Sequence, residues 1–138
     1  MKGRITMSIT WKYKIEVSDK SIFDEIAEKR NVVFPKILSD FIIETNGASP
    51  SSYKFTLGNT EKVFGAVLSV NKEDTDVDLI FTALDVVKTP HIIPFGIDPF
   101  GNYICYNLNE KVVVFWDHET DTITSSQKGF TEFINSLL

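Results

Sequence analysis

The residues best equipped for chemistry lie late in the chain. Asp117, Glu119 and Asp121 alternate just after an apolar run, so their oxygens could share one side and hold a hard cation. The competing reading is a solvated acidic turn, because Asp and Thr are common turn formers, and that reading is favoured. His91 and His118 are far apart, and neither belongs to a pair with the i, i+4 spacing of helical metal ligands. No bound metal or other cofactor is expected.

Nucleophilic catalysis finds less support. Cys105 sits between Ile104 and Tyr106 in an apolar run, where a thiol is usually a small inert hydrophobe. No Gly-x-Ser-x-Gly elbow occurs, and Ser125-Ser126 precedes an amphipathic stretch as a helix cap would. The seven glycines are scattered and form neither a Walker pattern nor a dinucleotide-binding loop. Paired acids such as Asp24 with Glu25 read as helix-dipole and solubility charges. No catalytic residue is assigned, and the chain reads as a non-enzyme.

Composition bounds the remaining choices. With 138 residues, of which 43% are hydrophobic and 12% aromatic, the chain can bury a core without disulfides or metal. Nineteen acids against 14 bases give a formal charge of −5, which disfavours direct nucleic-acid binding; it would speed encounter with a basic partner, but the favoured reading is that it keeps the chain soluble. Cys105 is the only cysteine, consistent with a reducing compartment. No apolar stretch follows Lys2 and Arg4, which argues against a signal peptide, and no run reaches a membrane-spanning length. The cytoplasm is the expected location.

The elements that must position these residues follow from periodicity. Residues 1–10 read as a flexible leader, with Met7 an alternative start, and 11–138 as a single domain. Trp11, Tyr13, Ile15 and Val17 alternate like a strand or extended arm. Phe23, Ile26 and Ala27 then mark a helix, with Ser21 or Asp24 as cap. Pro35 opens a second helix with Leu38, Phe41, Ile42 and Thr45 on one face, ended by Asn46-Gly47.

Tyr53–Leu57 and Val63–Val70 read as strands joined through a Gly58-Asn59 turn. Val77, Ile80, Phe81 and Leu84 fit a third helical stripe, capped by Asp74, Thr75 or Asp76. A meander follows over residues 92–95, 102–107, 112–116 and 122–124. Phe130, Phe133, Ile134 and Leu137 form a terminal helix capped by Ser125 or Ser126. Central strands with helices toward both ends define the α+β class.

Phe95, Tyr103, Phe115 and Trp116 are expected to fill the space between sheet and helices. If the turns at 98–102 and 117–121 share one sheet edge, they form an acidic rim around an aromatic anchor, suited to a protein interface. The candidate partner-binding residues are Asp98, Phe100, Asn102, Asp117, His118, Glu119 and Asp121.

Four segments in order carry a family resemblance. They are Phe34-Pro35 through Asn46-Gly47, Ile93-Pro94-Phe95-Gly96 through Gly101-Asn102-Tyr103, Val114–Glu119, and Ser125-Ser126 leading into Phe130–Leu138. Together they resemble the SUKH superfamily (Smi/Knr type), although Ala48 stands where many relatives have a second Gly. The resemblance implies a central, mostly antiparallel sheet flanked by helices near the N- and C-termini. It also implies no transferable catalytic residues and, for bacterial members, an immunity protein that neutralises a cognate polymorphic toxin, often a nuclease. The alternative it implies is a regulatory or scaffold interaction module, as in a fungal regulator of cell-wall synthesis. The toxin's identity and the oligomeric state are left open.

Overall fold

The computed structural model describes residues 9–138, so most of the expected leader lies outside the described residues. Ile9, the first of them, is already buried. The elements are β1 (Trp11–Lys12), α1 (Ile22–Arg30), α2 (Lys36–Thr45), β2 (Ser49–Pro50), β3 (Lys54–Leu57), β4 (Thr60–Val63) and β5 (Ala66–Val67). They continue with α3 (Ile80–Val86), β6 (Ile92–Ile97), β7 (Tyr103–Asn107), β8 (Val112–Asp117), β9 (Thr122–Ser125) and α4 (Phe130–Asn135). The fold is α+β.

The principal sheet runs β5-β6-β7-β8-β9, with every neighbouring pair antiparallel. The pairs β1-β2 and β3-β4 form separate ribbons. The expected strand over residues 63–70 is therefore split: β4 closes the β3 hairpin, and β5 joins the main sheet. The alternation at residues 11–17 likewise yields only a two-residue strand. Beyond it, Ile15 N–H donates to the Asn46 carbonyl at 2.8 Å.

Aromatic side chains bind one face of the sheet to its cover. Phe41 of α2 meets Trp11, Phe95 and Phe130 edge-on at centroid distances of 5.2, 6.2 and 5.0 Å. Phe130 and Phe133 of α4 reach Phe95 and Phe55, and Phe115 meets Phe55. Phe95 sits where the β6-β7 register slips between Pro94 and Gly96. Gly96 is required beside it, because a Cβ there would lie 2.7 Å from the Phe64 ring. Phe95 and Phe115 thus join sheet to cover as expected. Tyr103 and Trp116 are buried too, but the register places them on the opposite face from Phe115, stacked on each other at 5.5 Å.

The helix ends depart from the expected caps. Ser21 makes no capping bond; its N–H and hydroxyl donate to Asp19 Oδ1, which holds that carboxyl below its usual range. α3 begins at Ile80 without a side-chain cap, and Asp74 accepts instead from Ser69 Oγ and Asn71 Nδ2. Ser125 belongs to β9, Ser126 Oγ accepts from Lys128 N–H, and Gly129 occupies the α4 N-cap. Ser21 stands at the N-cap but bonds Asp19, whereas Asp74 and Ser126 lie five and three residues before the actual N-caps, Leu79 and Gly129.

At the other end of α3, Arg30 of α1 donates to the carbonyls of Leu84, Val87 and Thr89 and satisfies the helix C-terminus. α2 ends at Thr45, and the expected left-handed residue just beyond it is Gly47, whose φ of +72° suits glycine. Asn46 itself is not left-handed, and its side chain has another task. Its Nδ2 donates to the Ile15 carbonyl and Ser69 Oγ, and its Oδ1 accepts from Val70 N–H. Asn71 repeats the device on Glu16 and Ser18, so two buried asparagines fasten the N-terminal arm.

Candidate functional site

Two antiparallel hairpins, β6-β7 and β8-β9, turn at the same end of the sheet, and this alone brings residues 98–102 and 117–121 together. Side-chain bonds then lock each turn. Asp98 Oδ1 accepts from Phe100 N–H at 2.9 Å and Asn102 N–H at 2.8 Å, and its Oδ2 accepts from Asn102 Nδ2 at 3.0 Å. Asp117 Oδ1 accepts from Glu119 N–H at 2.8 Å. Asp121, at a left-handed φ of 53°, accepts from Trp116 Nε1 at 2.7 Å.

The two turns are also joined directly. Asn102 Oδ1 accepts from His118 N–H at 3.0 Å and lies 2.7 Å from His118 Nδ1. Because Asn102 Nδ2 is committed to Asp98, its oxygen faces His118, and Nδ1 must carry the hydrogen. A continuous chain Asp98–Asn102–His118 thus fixes one turn against the other, above the stacked Tyr103 and Trp116 rings.

The candidate residues therefore divide by role. Asp98 and Asn102 are buried and spend their polar atoms within the turns, so they position the surface rather than form it. Phe100 is 74% exposed at the tip of the first turn. Glu119 and Asp121 are exposed, Asp117 is half-buried, and His118 is exposed but tethered. No Lys or Arg occurs in residues 98–102 or 117–121. The surface pairs an unburied aromatic ring with three neighbouring acids on a rigid base.

Sequence spacing missed the burial of Asp98 and Asn102. An Asp followed by Pro-Phe-Gly-Asn could have signalled it, since Asp commonly bonds its own turn amides. Among the described residues, no cluster of three or more His, Cys, Asp or Glu side chains is arranged to hold a metal. Asp117 Oδ1 and Asp121 Oδ1 are already bonded within the protein. Cys105 is fully buried, and that burial pushes its thiol up, away from the reactive thiolate. No helix among the described residues is long and apolar enough to cross a membrane.

The architecture defines an α+β domain built on an antiparallel meander, with its two same-end hairpin turns fastened to each other. Comparison with family profiles makes the assignment specific: residues 17–136 match the SMI1 / KNR4 family (SUKH-1), and the chain belongs to that family. The family includes immunity proteins and is generally non-catalytic. No curated protein matches the chain.

Proposed function

We propose that this chain is a cytoplasmic immunity protein that binds a cognate polymorphic toxin and occludes its active site, with the paired turns as the contact surface. The observation that supports this reading is that the turn carrying exposed Phe100 and the turn carrying Asp117, Glu119 and Asp121 are fastened together through Asn102 and His118. An aromatic side chain within a polar rim is the common anatomy of a protein interface. Acids on a prepared loop steer a basic partner, such as a nuclease domain, toward it. Rigid turns also reduce the ordering cost of binding.

The experiment is co-expression with the C-terminal domain of any polymorphic toxin encoded beside this gene, followed by co-purification and a toxin activity assay. A stable complex with lost toxin activity is the expected outcome. A folded protein that neither binds nor inhibits the toxin would contradict immunity and favour the regulatory-scaffold alternative, in which the same surface serves a partner from the host's own pathways.

A further inference from the structure

The principal sheet ends in a strand with nothing on its outer side among the described residues. β9 (Thr-Ile-Thr-Ser) is exposed throughout, and it contains no Pro, Lys or other charge to discourage a further strand. Its inner side is fixed by the pairing Phe115↔Thr124 and by Ser126 N–H donating to the Val113 carbonyl at 2.9 Å. Because backbone groups alternate along a strand, Ile123 and Ser125 turn their N–H and C=O outward.

We propose that β9 pairs antiparallel with β9 of a second copy of this chain about a two-fold axis, continuing the sheet across the pair. Charge selects this occupant and this direction. Glu119 and Asp121 stand at the entrance of β9, and Lys128 follows its exit. Antiparallel pairing of Ile123 with Ser125 of the mate brings the acidic end of each strand alongside the Lys128 end of the other. Parallel pairing would set acid against acid. A two-fold interface uses the same patch twice, so one strand with opposite charges at its ends is self-complementary. The inference goes beyond toxin binding and does not rest on it.

Sedimentation velocity of the full chain alone, from micromolar to millimolar concentration, tests it. The expected result is a concentration-dependent rise from the 15.6 kDa monomer to twice that mass. Ser125→Pro removes an outward N–H while leaving the β8 ladder intact, and should weaken the pair by about tenfold or more. Lys128→Glu should weaken it as well, and adding Glu119→Lys should restore it. A monomer at every concentration would overturn the proposal. So would a dimer insensitive to both single substitutions, or one that the second charge change fails to restore.

Discussion

Replacing Asn46 by Ala should cost about 3 kcal/mol of stability and lower the melting temperature by roughly 10 °C, read from urea titration and calorimetry. Asn46 is fully buried, and its amide holds three partners from two distant parts of the chain: the Ile15 carbonyl on one side, and Ser69 Oγ and Val70 N–H on the other. Alanine would leave the buried Val70 N–H without its acceptor and the half-buried Ile15 carbonyl without this donor. Stranded buried groups cost more than the bonds themselves contribute. The N-terminal arm should loosen first, visible as faster amide exchange at Ile15. A loss below about 1 kcal/mol would show that the arm is held by other contacts.

Stability should also fall steeply in alkali, and Cys105 should account for the onset. The thiol is enclosed between Pro94 and Val114 on the neighbouring strands, and burial raises its pKa well above the ordinary 9.0, outweighing the opposing pull of Arg30. A raised pKa means that the folded state keeps its proton after the unfolded chain has lost it. Stability is therefore complete below pH 9 and declines above it, approaching about 1.4 kcal/mol per pH unit. Tyr103 and Tyr106, also raised by burial, add to the decline above their ordinary 10.0. Cys105→Ala should lower stability at neutral pH through the cavity it leaves, yet flatten the slope between pH 9 and 10. Equal slopes for the two proteins in urea titrations would contradict this assignment.

What was legible in the sequence was what local physics decides. The stripe Leu38, Phe41, Ile42, Thr45 with Pro35 before it gives α2, because helix periodicity and the proline constraint act within a few residues. The strands from Ile92 to Ser125 were legible because turn residues separate runs of strand-forming side chains. The two-residue strand β2 carries too little pattern to be seen, while the runs at 11–17 and 63–70 showed strand character but not how short β1 and β5 would be. Nor could spacing show that Asn46 and Asn71 fasten an arm 31 and 55 residues away. The expected cap at Ser21 was taken by Asp19, and those at Asp74 and Ser126 lay too early because α3 and α4 begin at Ile80 and Phe130.

The candidate site divides along the same line. That the turns at 98–102 and 117–121 share one end follows from counting hairpins, and the exposure of Phe100 follows from its place in a tight Pro-Phe-Gly turn. The Asn102–His118 bond that joins the turns depends on the lateral register of β7 and β8, which only the folded sheet supplies. Asp98 looked like a rim charge because Asp usually is one; its three acceptor bonds bring it inside.

The measurement that tests the central claim most directly is titration calorimetry of the domain of any toxin encoded beside this gene against the wild-type chain, Phe100→Ala and Glu119→Lys. Both side chains are exposed, and neither makes a hydrogen bond or ion pair through its side chain among the described residues, so the variants should remain folded. Phe100→Ala should weaken binding by about thirtyfold, as loss of an interface anchor does. Glu119→Lys should weaken it mainly at low salt. Wild-type affinity in both variants, with the complex still forming, would place the toxin on another face of the protein.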